Sequence, residues 1–311
     1  MLRTKARTGG FVSPRGRSVL VTGASSGLGR DCALHLVRAG FRVFAGVRRA
    51  EDGERLVAGT AAGRIHPVRL DVTDEESVRT AVGEIAEATE LAESADGAAG
   101  PPGLWGLVNN AGICVSGPLE CVRPAQLRRQ LETNVVGQLS VVQAALPLLR
   151  EARGRIVNIT SGLGNVAVPY LGAYASAQFA KEALSDALRR ELRPHGVGVS
   201  VVQPGAISTP IWDKASTAGN DMLAGSPEAV ADLYRATFGR FLRAHVDQAR
   251  ASRTRPEEFT RAVAHALGAA RPRTRYRVGA DAWLSAVLSR ALPDIALDHR
   301  LRPVTAAAPQ V

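Results

Sequence analysis

From Ser18 onward, short β-branched runs alternate with longer stretches of helical period. Seven runs read as strands: "SVLVTG" (18–23), "FRVFAGV" (41–47), "RIHPVRLDV" (64–72), "LWGLVNN" (104–110), "GRIVNITS" (154–161), "GVGVSVVQPG" (196–205) and "TRYRVGADA" (274–282). Helices are predicted over 28–39, with a glycine stop at Gly40, and over 75–93, about 126–149, 173–192, 257–267 and 283–292. "ADGAAGPPG" (95–103) reads as a surface loop, and 206–256 as a loop with variable helices. Such alternation is the signature of an α/β fold, a doubly wound seven-stranded parallel sheet with helices on both faces. Neither an internal repeat nor a linker is visible, so a single domain is expected over 18–295, with a loose tail over 296–311.

The net charge of +10 raises nucleic acid or an acidic membrane as partners. Its distribution argues against both. Among 39 basic residues only Lys5, Lys181 and Lys214 are lysines, and arginine is spread along the whole chain. Half of the excess lies in Arg3, Lys5, Arg7, Arg15 and Arg17, before any acid. This leader lacks the apolar stretch of a secretory signal and the interleaved aromatics of a single-strand binder. Residues 1–17 are therefore expected to be a disordered basic tail. Apolar runs are strand-sized, too short to span a bilayer. Cys32, Cys114 and Cys121 have neither CxxC pairing nor zinc-spaced histidines, which suits reduced thiols in a cytoplasm and no metal.

In "VTGASSGLGR", Gly23, Gly27 and Gly29 lie between the first strand and the first helix. Glycines there permit a tight turn, a close backbone approach to a diphosphate and close helix–strand packing. The helix N-terminus then faces the anion. The spacing is GxxxGxG, and it is not alone. "LDVT" (70–73), "NNAG" (109–112), "TNVVG" (133–137), "ITS" (159–161), "YASAQ" (174–178) and "PGAIST" (204–209) follow in order.

Together these motifs resemble the short-chain dehydrogenase/reductase family, from Ser18 to about Gly279. "GLWGLVNNAG" resembles its hydroxysteroid/retinol dehydrogenase-like branch. The resemblance implies a Rossmann-like fold and a nicotinamide dinucleotide as cofactor. It assigns Gly23, Ser25, Ser26, Gly27, Leu28 and Gly29 to the cofactor loop, and Asp71 and Val72 to the adenine side. Asn110, Ala111 and Gly112 would line the adenosine ribose. Pro204 and Gly205 open the segment in which Ile207 and Thr209 would hold the nicotinamide carboxamide. At the end of the second strand an NAD enzyme commonly carries an acid that takes the ribose 2′-OH. Here Val47 stands there, followed by Arg48 and Arg49. A guanidinium suits a 2′-phosphate, so NADP(H) is preferred and NAD(H) stays open.

Ser161 precedes Tyr174 by 13 residues, the family's own separation. The implied chemistry is carbonyl–alcohol interconversion. Tyr174 donates or removes the alcohol proton, Ser161 bonds the substrate oxygen, and Asn134 holds a helix distortion and a relay water. The sequence departs from the family at Gln178, where a lysine is expected. That lysine bonds the nicotinamide ribose and lowers the tyrosine pKa, and an amide can do only the first. Without the charge, alcohol oxidation should suffer more than ketone reduction. Lys181, seven residues after Tyr174, is on nearly the same helix face but about 10.5 Å further along. It reads as a solvated or interface lysine. Two functions stay open: a weakened NADP(H)-dependent reductase, or a catalytically silent protein that binds NADP(H) as sensor or structural partner. In the family, residues 206–256 form a lid. Ile211, Trp212, Met222, Leu223, Tyr234 and Phe238 there would either line an apolar substrate pocket or pack the lid. The resemblance also implies a homodimer or homotetramer.

Overall fold

The computed structural model describes residues 10–58, 60, 63–95 and 102–305. Its seven strands are β1 (Ser18–Thr22), β2 (Arg42–Val47), β3 (Ile65–Arg69), β4 (Gly106–Asn109), β5 (Arg155–Ile159), β6 (Gly198–Pro204) and β7 (Arg275–Val278). They form one parallel sheet in the order β3-β2-β1-β4-β5-β6-β7. The expected α/β doubly wound, Rossmann-like architecture is what the chain adopts. β1 is buried throughout, as suits a strand covered on both faces. Alternate residues point to opposite faces. Val19 and Val21 pack with Cys32 and Leu36 of α1 (Gly27–Ala39) and with Phe259 and Val263 of α9 (Pro256–Gly268). Leu20 packs on the other side with Ile85 of α3 (Glu75–Ala95) and Val142 of α5 (Gly137–Glu151). Strand order reverses between β1 and β4, which opens a crevice at the carboxyl ends of the strands.

Several elements differ from the sequence expectation. α2 (Ala50–Ala58) was not foreseen, because Gly53 interrupts its apolar pattern. The glycine has a packing cause: a Cβ there would come within 2.6 Å of Pro67 in β3. Pro67 itself is tolerated because β3 is an edge strand. The helix expected over 126–149 is α4 (Pro124–Leu131), a π-helical turn over Glu132–Val136, and α5. The 206–256 region contains two regular helices, α7 (Pro210–Ala224) and α8 (Glu228–Arg250).

Both tails are partly built. The Val12 amide donates to the Gly268 carbonyl, and the Arg17 guanidinium stacks 3.6 Å above the Trp105 ring. Residues 10–17 thus dock on the body, whereas the first nine lie outside the described residues. Beyond α10 (Ala280–Ala291), α11 (Asp294–Thr305) forms where a loose tail was expected, with Val304 packed on the cluster that holds Phe238 and Phe241. Most of the 95–103 loop also lies outside the described residues.

Candidate active site

The turn between β1 and α1 is held open by its glycines. Gly23 and Gly27 have φ of +65° and +54°, the left-handed region in which a side chain is strained. A Cβ on Gly29 would lie 2.2 Å from the Gly23 carbonyl oxygen and 2.4 Å from Asn110 Nδ2. Only glycine fits. The buried Thr22 hydroxyl accepts from the amides of Asn110 and Ala111, and Asn110 Nδ2 donates to the Thr22 carbonyl, each at 3.0 Å. The loops after β1 and β4 are thereby locked together. No acid occupies the first turn of α1, and Ser26 makes no side-chain cap. The helix N-terminus is left electropositive toward the crevice.

That crevice is a cavity of about 880 Å³, within the range of ligand sites. Gly23, Ser25, Ser26, Gly27, Leu28 and Gly29 form one wall. Arg48, Asp71 and Val72 lie at one end, and Asn110, Ala111, Gly112 and Asn134 line the middle. Ser161, Tyr174, Gln178, Pro204, Gly205, Ile207 and Thr209 close the other end. Every residue assigned above to catalysis or to the cofactor lines this one space. Of the two arginines after β2, only Arg48 lines it. Its glycine cradle and donor-rich rim fit a dinucleotide, and no acid stands at the end of β2.

Asn134 explains the π-helical turn. Its Oδ1 accepts from the Ile113 amide at 2.9 Å and its Nδ2 donates to the Ile113 carbonyl at 3.0 Å. This two-way bond draws the helix toward the loop after β4, and the widened turn accommodates it.

Ser161 follows β5, and its hydroxyl accepts from the Leu163 amide at 3.2 Å. Tyr174 stands in the first turn of α6 (Gly172–Leu192), with Gln178 one turn on. Burial pushes the Tyr174 phenol above its ordinary pKa and Cys114 adds to this, while hydrogen bonding by Ser161 and Gln178 opposes it. The resting phenol is protonated. Gln178 is 2% exposed, and its Oε1 has no hydrogen-bond partner.

Lys181 contradicts the expectation of a solvated or interface lysine. It is 2% exposed, lines the same cavity, and donates from Nζ to the Ile159 carbonyl at 2.5 Å. The face of α6 that carries it, with Ala177 and Ser185, is buried. The flexible stem leans toward the helix N-terminus and so shortens the axial distance. Burial pushes its pKa down to about 8, partly offset by Glu182. A lysine on a face of otherwise small residues was the signal that could have found it.

The apolar residues named from 206–256 divide. Ile211 and Trp212 line the cavity, with Trp212 edge-on to Tyr174 at 6.4 Å between centroids. Met222, Leu223 and Phe238 are buried in one cluster with Tyr170 and Leu171, and the Tyr234 hydroxyl bonds Glu120. Cys114 lines the cavity too, its thiol pushed up by burial to about 12. All three cysteines are unpaired and buried. Among the described residues no metal-binding cluster occurs, and no helix is long and apolar enough to cross a membrane.

Residues 17–220 match the short chain dehydrogenase family model. A 3-amino-tetrahydro-pyrrolizinone reductase of Xenorhabdus hominickii is 47% identical over 266 residues, covering 86% of this chain and 88% of the relative. Retinol dehydrogenase 5 of Mus musculus is 37% identical over 284 residues, 86% of this chain and 83% of the relative. Among solved structures, a short chain dehydrogenase from Burkholderia cenocepacia J2315 in complex with NADP superposes with a TM-score of 0.68 at 27% identity, over 93% of this chain and 99% of that one. The chain therefore belongs to the short-chain dehydrogenase/reductase family of oxidoreductases, with a retinol dehydrogenase among its relatives.

Proposed function

We propose that the protein is an NADP(H)-dependent oxidoreductase that interconverts an apolar ketone or aldehyde and its alcohol, working chiefly as a reductase. The observation that carries this reading is one cavity in which the Tyr174 phenol, Ser161 and Gln178 meet the glycine cradle. When bound, the nicotinamide supplies or accepts the hydride. Ser161 binds the substrate oxygen, and Tyr174 gives its proton to that oxygen in reduction or takes it back in oxidation. A phenol that burial keeps protonated is ready to act as an acid, which favours reduction. Gln178 is assigned to the nicotinamide ribose, Asp71 and Val72 to the adenine, and Ile207 and Thr209 to the carboxamide.

Arg48 at the adenosine end supports the preference for NADP(H), as does the NADP bound to the Burkholderia protein. Val115, Ile211 and Trp212 give the substrate end an apolar wall. That wall suits ring-bearing substrates of the kind in the two relatives' names, the ketone of a pyrrolizinone and the alcohol retinol. The same proposal places the protein in the cytoplasm, in keeping with its unpaired cysteines. It assembles as a homodimer or homotetramer through the helices around Asn134 and Tyr174, where Val136 and Phe179 are exposed.

The uncharged Gln178 favours a second reading, a silent NADP(H) binder. A panel of cyclic and long-chain ketones and aldehydes, assayed with NADPH, separates the two. The reductase reading expects turnover of at least one panel member. Tight NADPH binding with no turnover across the panel would establish the silent binder instead.

A further inference from the structure

The cavity contains a buried ammonium that the reaction outlined above does not use. Among the described residues, the only hydrogen-bond partner of Lys181 Nζ is the Ile159 carbonyl. An ammonium has three donors, so two remain for the cavity that Lys181 lines. Its neighbour Glu182 does not take them. Glu182 Oε1 accepts from Thr160 Oγ1 at 2.6 Å and Gln203 Nε2 at 2.9 Å, and Oε2 accepts from Arg275 Nε at 2.9 Å. A buried charge without a carboxylate partner is costly. One turn toward Tyr174, Gln178 presents a buried acceptor that nothing satisfies. The carbonyl that receives the ammonium lies two residues before Ser161, at the tip of β5.

We propose that Lys181 supplies the positive charge of this active site, delivered from one turn beyond Gln178, and that it acts through Tyr174 as a positioning residue for the phenol's proton. Gln178 keeps the neutral hydrogen bonds and Lys181 provides the charge, so two side chains divide what a single lysine at 178 would do. At neutral pH the ammonium is protonated, its own pKa being lowered only to about 8. The other titratable groups lining the cavity are Cys114, Arg48 and Asp71 after β2 and β3, Lys214 of α7, and Arg128, Arg129 and Glu132. Of these only Cys114 acts on the phenol, and it opposes ionisation.

This inference rests on the oxidoreductase reading for its purpose, but its test does not require turnover. Incorporating difluorotyrosine brings phenol ionisation into an accessible pH range, and fluorine NMR follows each of the four tyrosines. Tyr174→Phe identifies the relevant signal. Lys181→Met should move the Tyr174 titration upward by about one to three pH units. Gln178→Lys in the Lys181→Met background should return it, a rescue that a merely structural lysine would not show. A second measurement keeps Lys181 and Gln178 in place. Isotope-labelled lysine gives three signals, and Lys181 should titrate at higher pH once difluorotyrosine at 174 is ionised. Unmoved titrations in both experiments overturn the proposal. Where turnover is found, Lys181→Met should slow alcohol oxidation at neutral pH at least about tenfold, and carbonyl reduction less. Moved titrations in a protein without turnover would sink the reductase reading and leave the Lys181 assignment standing.

Discussion

Under the proposed function, single side chains decide the cofactor and the chemistry. Arg48 lines the cavity directly after β2, and that strand does not end in an acid that would repel a phosphate. Arg48→Ala should weaken NADPH binding roughly ten- to a hundredfold, the range of a charge-assisted hydrogen bond, and NADH binding little. Fluorescence titration with both cofactors reads this directly, and equal losses would remove the basis for preferring NADP(H). The motif residues were legible because each glycine, Asn134 and Tyr174 answers a local constraint that sequence spacing exposes. Lys181 was not. Axial rise alone places its Cα out of reach of the phenol, and only the packing of α6 on the sheet shows that its ammonium turns inward.

At the scale of elements, α6 carries Tyr174, Gln178 and Lys181, and its placement is fixed by charges further along. Glu182 ties it to Thr160 just after β5, to β6 through Gln203 and to β7 through Arg275. Arg275 also bridges to Asp186 at 3.1 Å. The Glu182 and Arg275 side chains are 11% and 20% exposed, so breaking this pair should be expensive. Glu182→Gln should lower the unfolding free energy by about 3 kcal/mol, measured by denaturant titration. A change below about 1 kcal/mol would mean that the pair behaves like a surface ion pair. The strand–helix alternation of this clamp region was readable in advance, since the buried strands are β-branched and α6 has a long helical period. The clamp was not readable, because its partners are separated by 21 to 93 residues. α2 was missed for a related reason: Gly53 reads as a breaker until Pro67 is seen to press against it.

For the molecule as a whole, Lys181 makes stability depend on pH. The unfolded lysine keeps its proton up to about 10.5, whereas the folded one releases it near 8. Between those values the unfolded chain binds more protons, so stability rises with pH. Below about 8 the full cost is present, on the order of 3 kcal/mol. Lys181→Met should therefore be more stable than the parent at pH 7, with the difference shrinking toward pH 10.5. Thermal melts across that range check it, and a variant less stable at pH 7 would show that the ammonium is well paired in the fold. The sequence pattern conveyed a seven-stranded parallel sheet with helices on both faces, because strands that alternate with helices admit few arrangements. It did not convey the docked 10–17 segment or α11, whose contacts lie on α9 and on the cluster that holds Phe238 rather than within the segments themselves.

The central claim is that the Tyr174 hydroxyl exchanges a proton with a carbonyl substrate beside a bound nicotinamide. Its most direct test compares the parent and Tyr174→Phe for NADPH-dependent carbonyl reduction, with NADPH affinity measured alongside. The account expects the variant to bind NADPH within about twofold of the parent and to lose reduction by at least about a hundredfold. Equal reduction rates in the two proteins would contradict it.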